Sequence, residues 1–239
     1  MLVIGLTGGI STGKSTVSTL FKTHNVPIVD ADVIAREVVQ PGSPGLAKIK
    51  TIFGDEVIQE DGSLDRKKLG SIIFNDPHKR KQLNNIVHPA VRKEMLWQVV
   101  RYWLRGEKYC ILDVPLLIEG PLWKMVGKVV VVYCSEELQL QRLMLRDNSS
   151  REDALSRLRS QLPITEKVAY ADIVIDNSGT RPELEQQVQS LVERFDKEAG
   201  WSWRLSWLFP PYGVASAAGL VLWRFLRRRK TKQKQRLRG

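Results

Sequence analysis

Short runs of Val, Ile and Leu alternate with longer stretches whose apolar positions recur every three or four residues through the first 200 residues. The short runs read as buried parallel strands, apolar on both faces, at residues 2–6, 27–29, 109–114, 128–133 and 173–175. The periodic stretches predict helices over 14–24, 31–39, 46–53, 66–74, 78–104, 136–146, 151–161, 166–169 and 182–196. Ser135 before Glu136 and Glu137, and Thr180 before Pro182 and Glu183, mark two of the helix starts. Strand and helix in alternation predict a doubly wound α/β fold on a parallel five-stranded sheet. Residues 40 to 104 break the rhythm. They are mostly helical and too long for a connector, which predicts an inserted helical subdomain within a domain spanning 1–200.

Composition supports a globular body, with 43% hydrophobic and 26% charged residues in 239. The formal charge of +11 points at first to nucleic acid. Residues 201–239 dispel that reading, because they hold seven Arg and three Lys with no acid and leave the first 200 residues at +1. No nucleic-acid partner is therefore expected. Cys110 and Cys134 are too few for a disulfide framework and favour a reducing compartment. The start, Met1-Leu2-Val3-Ile4-Gly5, lacks the basic segment of a secretory or mitochondrial leader.

The basic tail is also rich in aromatics: Trp201, Trp203, Trp207, Phe209, Tyr212, Trp223 and Phe225. Between 205 and 226 the one charge is Arg224, and Arg227-Arg228-Arg229-Lys230 follows. Interfacial aromatics beside a polybasic flank favour association with an anionic membrane surface. Pro210-Pro211 splits the apolar stretch and leaves it short of the about 20 residues a straight span needs. A shallow or in-plane anchor on an intracellular membrane (mitochondrial outer membrane, endoplasmic reticulum or lipid droplet), with the body facing the cytosol, is the expectation. A C-terminal helix packed on the body is the other reading.

Gly8-Gly9-Ile10-Ser11-Thr12-Gly13-Lys14-Ser15 fits the phosphate-loop pattern in full, between the first strand and the first helix. Such a loop wraps backbone N–H groups around phosphate at the positive end of a helix. Lys14 supplies charge to the β- and γ-phosphates of ATP, and the Ser15 hydroxyl suits Mg²⁺. The guanine-reading Asn-Lys-x-Asp of GTPases and the Leu-Ser-Gly-Gly-Gln of transporters are missing. A compact core with a helical insertion and Arg-rich helices late in the chain points to a small-molecule kinase. The second strand runs into Asp30-Ala31-Asp32, at the strand edge where ligands bind. A carboxylate there can take a hydroxyl proton from an attacking acceptor, or can cap the next helix.

The run Leu6-Thr7-Gly8-Gly9-Ile10, then Gly13 to Val17 and Ile28-Val29-Asp30-Ala31-Asp32, resembles the dephospho-coenzyme A kinase family. So do Ala35-Arg36, His88-Pro89, Val114-Pro115-Leu116-Leu117, the Arg142/Arg146 helix and Asp176-Asn177. The motifs are spread over about residues 1–195, and the tail makes the chain similar to a eukaryotic-type member with a membrane-associating extension. The resemblance implies transfer of the ATP γ-phosphate to the ribose 3′-hydroxyl of dephospho-coenzyme A, the last step of coenzyme A synthesis. It implies Asp32 as general base, with Asp30 shaping the turn and Lys14 and Arg142 catalytic. Gly8 to Thr16 (Gly9, Ile10, Ser11, Thr12, Gly13, Lys14 and Ser15 between them), Arg142, Arg146 and Asn177 would hold ATP. Thr7, Asp32, His88, Arg92, Pro115, Leu116 and Leu117 would meet the acceptor. Residues 136–165 would be a mobile lid, with Arg157 and Gln161 repeating the spacing of Arg142 and Arg146. Asp113 reads as a helper beside the metal, and Glu119 receives no role. Another small-alcohol kinase, or a membrane-tethered ATP-binding scaffold without turnover, are the rival readings.

Overall fold

The computed structural model describes residues 1–74 and 76–199, with Ala215, Ala218, Gly219 and Leu222 beyond them. The expected membrane association rests on tail residues outside this set. No helix among the described residues is long and apolar enough to cross a membrane. In chain order the elements begin β1 (Leu2–Gly8), α1 (Lys14–Thr23), β2 (Ile28–Asp30), α2 (Ala31–Glu37), α3 (Pro44–Phe53), α4 (Arg66–Phe74) and α5 (Pro77–Leu104). They continue with β3 (Tyr109–Asp113), β4 (Lys128–Tyr133), α6 (Glu136–Asp147), α7 (Arg151–Arg159), α8 (Ile164–Val168), β5 (Ile173–Asp176) and α9 (Arg181–Ala199). The chain forms two compact units, Met1–Val29 with Arg101–Gly239, and Asp30–Val100.

The first unit is built on a five-stranded sheet of order β2-β3-β1-β4-β5. β1 pairs in parallel with β3 and β4, and β4 with β5. Successive side chains on a strand point to opposite faces. On one face Ile4, Leu6, Ile111, Val130, Val132 and Ile175 meet Val17, Leu20 and Phe21 of α1 and Leu184, Val188 and Phe195 of α9. On the other face Val129 and Val131 are equally buried, and β1 has Gly5 where a Cβ would lie 2.5 Å from Leu117. That close approach explains a glycine inside a strand. The predicted doubly wound α/β fold is the fold observed.

Element ends differ from the sequence expectation by a few residues, each with a local cause. β1 continues to Gly8 because Thr7 and Gly8 keep pairing with Val131 and Val132. α3 begins early because the Ser43 hydroxyl accepts the Leu46 N–H and Pro44 takes the first helical position. α9 runs on to Ala199 because Phe195 and Ala199 still face the core.

The second unit is helical. Val39, Ile49, Phe53, Val57 and Leu69 form its core, with Leu83, Ile86 and Val87 of α5 packed against them. Asp30 caps α2 by accepting the N–H groups of Asp32 and Val33 at 2.9 and 3.1 Å. Asp76 caps α5 in the same way, through His78 and Lys79. α5 passes through Pro89 without ending.

Candidate active site

β1 delivers the chain into the glycine-rich loop at the C-terminal edge of the sheet, and α1 leaves it. Gly13 precedes α1 with φ +88° and no side chain caps the helix, which leaves its first-turn N–H groups for an anion. A Cβ at Gly13 would run into the Asn177 amide, and one at Gly9 into Gln139 Oε1. Both glycines thus lie close against neighbouring side chains, and the left-handed backbone at Gly13 itself favours glycine. Within the loop the Thr12 N–H and hydroxyl both donate to the Gly9 carbonyl, at 3.3 and 2.9 Å. Ser11 sits at φ +58°, a left-handed conformation unfavourable for a side chain. Its buried hydroxyl has no hydrogen-bond partner among the described residues. Ser15 and Thr16 follow Lys14 on the first turn, with Ser15 exposed.

Lys14 reaches across to Asp113 at the end of β3, with Nζ 2.5 Å from Oδ1. The carboxylate is almost completely buried, so the lysine supplies the charge it needs. Register explains the meeting: Leu6 lies opposite Asp113 on neighbouring parallel strands. The helper expected beside a metal is thus the partner of the phosphate-loop lysine.

α6 brings Arg142 to the same edge, where its guanidinium donates to the Asn177 carbonyl at 2.9 Å. Asn177, at the end of β5, in turn donates through its side chain to the Thr12 carbonyl at 2.8 Å. A chain of two hydrogen bonds therefore links Arg142 to the phosphate loop. Burial pushes the nearby Cys134 thiol up, an effect Arg142 opposes. Ile10, at the loop tip, packs on Leu140, Leu143 and Ala154 where α6 meets α7. Arg146 points elsewhere: it makes two bonds to Asp147, which also takes Arg157 at 2.7 Å. Hydrogen bonding from Arg146 holds the Asp147 carboxyl below the ordinary carboxylate range.

The segment after β3 is split in its exposure. Thr7 Oγ1 donates to the Pro115 carbonyl at 2.8 Å, and Leu116 is half exposed. Leu117 is a correction to the expected acceptor surface: it is 0% exposed and packs against Gly5, so it belongs to the core.

Two residues at the loop escaped the sequence reading. Lys167 of α8 is completely buried, with Nζ 3.1 Å from the Gly8 carbonyl and 2.8 Å from Glu119 Oε1. Gln139 of α6 is buried beside Gly9, its amide donating to the Cys134 carbonyl. Neither had a local signal, since Glu-Lys-Val and Leu-Gln-Leu look like ordinary helix surface.

The remaining expected residues belong to the helical unit. Asp32 is exposed on the first turn of α2, its carboxylate free of the capping role that Asp30 fills. His88 and Arg92 are exposed and four residues apart on α5, hence on one face of it. His88 is neither buried nor a helix cap.

Comparison with known proteins gives concordant results. A family model described as dephospho-CoA kinase matches residues 2–183. The dephospho-CoA kinase of Bacillus anthracis is 51% identical over 195 residues, 82% of this chain and 98% of that protein. That of Oryza sativa is 43% identical over 205 residues, covering 86% and 89%. An uncharacterized Caenorhabditis elegans protein is 45% identical over 93% of this chain and 90% of its own, so the match extends well into residues 201–239. Among solved structures, the Campylobacter jejuni dephospho-CoA kinase superposes with a TM-score of 0.66 at 31% identity, over 82% of this chain and 98% of that one. A Thermus thermophilus protein does so with 0.67 at 32%, over 81% and 97%.

Proposed function

The chain belongs to the dephospho-CoA kinase family, and from that premise we propose that it transfers the γ-phosphate of ATP to the ribose 3′-hydroxyl of dephospho-coenzyme A. The products are coenzyme A and ADP. The observation that carries this reading is the open N-terminus of α1 with Lys14 beside it, in a chain half identical to named kinases of that substrate.

In this reading Lys14 exchanges the Asp113 carboxylate for the β- and γ-phosphates when ATP arrives, trading one anionic partner for another. The loop N–H groups from Gly8 to Thr16 hold the remaining phosphate oxygens. Asn177 and the strand end beneath it bound the base, and Arg142 supplies positive charge over the transferring group, joined by Arg146 once lid closure draws it from Asp147. Asp32 takes the 3′-hydroxyl proton as that oxygen attacks the γ-phosphorus and ADP departs. His88, Arg92, Thr7, Pro115 and Leu116 serve the acceptor. Residues 136–165 act as the lid that excludes water.

No group of three His, Cys, Asp or Glu among the described residues could hold a metal ion. A hydroxyl at the phosphate loop suits Mg²⁺, which keeps several waters and takes most other oxygens from phosphate. Ser15 would hold it, and when bound it neutralises charge across the β- and γ-phosphates.

For the tail, the reading is a shallow membrane anchor on an intracellular membrane with the kinase body on the cytosolic face. The aromatic and basic pattern supports it, as does the extension of an animal relative's match into these residues. The enzymatic reading is tested by ADP release with dephospho-coenzyme A, nucleoside monophosphates and shikimate as competing acceptors. Turnover confined to the monophosphates overturns it.

A further inference from the structure

The buried amine of α8 lies at the phosphate loop without a part in phosphate chemistry. Lys167 Nζ meets the Gly8 carbonyl at 3.1 Å, the Pro115 carbonyl at 3.5 Å and Glu119 Oε1 at 2.8 Å. An ammonium has three donors, and here three oxygens receive them. Its side chain is 0% exposed, so it carries no charge to solvent. A buried ammonium costs several kcal/mol unless paired, which Glu119 accounts for. Two backbone carbonyls as the other acceptors are what call for explanation.

Gly8 opens the phosphate loop, and Pro115 opens the run placed on the acceptor side. A trans peptide is planar, with its C=O and N–H on opposite sides. Fixing the Gly8 oxygen thus fixes the direction of the Gly9 N–H, and fixing the Pro115 oxygen does the same for the Leu116 N–H. Thr7 Oγ1 adds a second bond to that Pro115 oxygen. Glu119 Oε1 also accepts the Leu162 N–H at 3.3 Å, tying the link between α7 and α8 to the same point. We propose that Lys167, held by Glu119, is a positioning residue that sets the phosphate loop and the 115–116 peptide from one buried cation. The proposal rests on the phosphoryl-transfer reading and adds a residue to it.

The test compares full-length protein with Glu119→Gln, Lys167→Met and the double variant. Thermal midpoint, the Kd of a fluorescent ATP analogue, and kcat and KM for both substrates are measured on each. Lys167→Met takes the donor from the Gly8 and Pro115 carbonyls and leaves the partly exposed Glu119 without its partner, and is expected to lose stability; the double variant removes both charges and regains what Glu119→Gln alone loses. The expected result is a double variant that is folded yet about a hundredfold lower in kcat/KM for both substrates, since small misplacements of reacting groups cost that much. Its analogue binding is weaker as well. Glu119→Gln alone leaves the fully buried Lys167 ammonium without its counter-charge and lowers the thermal midpoint, while its amide oxygen still accepts from Nζ, so kcat/KM falls less than in the double variant. Recovery of both midpoint and kcat/KM in the double variant overturns the proposal, because the lysine then serves the fold alone. A double variant that does not fold overturns it for the same reason, and so does Glu119→Gln falling as far as the double. Should the parent fail to phosphorylate dephospho-coenzyme A, the substrate assignment falls. The analogue then still decides: weakened binding in the double variant sustains the positioning role, and unchanged binding ends it.

Discussion

Two neighbouring carboxylates on one helix start have different work. Asp30 spends its side chain on the N–H groups of Asp32 and Val33, whereas Asp32 stays exposed. Asp32→Asn removes proton acceptance with little change of volume. It is expected to leave ATP affinity near normal while kcat falls by about two to four orders of magnitude, as loss of a general base does. Steady-state kinetics beside nucleotide binding would check this, and near-normal turnover would take the base role from Asp32. Ser11 is the second case. Its left-handed backbone and orphaned buried hydroxyl are both costs that glycine would remove. Ser11→Gly is expected to raise stability by about 1 kcal/mol, less the added freedom of the unfolded chain. Denaturant unfolding reads the change directly, and a loss of stability would show that the hydroxyl has a partner in solution.

The paired helices α6 and α7 carry three arginines in two different situations. Arg142 lies against Asn177 and so against the loop, while Arg146 and Arg157 share Asp147 on the outside. The helix keeps Arg142 and Arg146 four positions apart, as the sequence spacing put them, but their side chains diverge to different partners. The spacing held no sign that Asp147, the next residue, would occupy Arg146. If Arg142 acts on the closed transition state, Arg142→Ala lowers kcat more than it raises KM for ATP. A pure KM effect would make it a ground-state anchor. The strands and helices themselves were legible, because β-branched runs and three-to-four periodicity are local signals. Lys167, Gln139 and the Lys14–Asp113 pair were not, because each depends on chain segments far apart in sequence meeting at one sheet edge. Leu117 was misread for a related reason: only the absence of a side chain at Gly5 reveals the socket it fills.

At the scale of the whole molecule, the charge divides into a near-neutral first 200 residues and a +10 tail, on which the proposed anchor rests. A polybasic end contributes about 1 kcal/mol per Lys or Arg near an anionic surface, enough to make a shallow apolar anchor effective. Truncation after Gly200 is expected to leave kcat nearly unchanged and to release the protein from anionic liposomes in a sedimentation assay. Full-length protein that fails to pellet would end the anchor reading, and a truncated body that unfolds would return the aromatics to the core. Everything else in the account depends on where the phosphate goes. The most direct measurement is ³¹P NMR of full-length protein incubated with ATP, Mg²⁺ and dephospho-coenzyme A. The account predicts ADP and one new phosphomonoester on the ribose 3′-oxygen, appearing in equal amounts. ADP without that phosphomonoester, or a phosphate at another position, would contradict it.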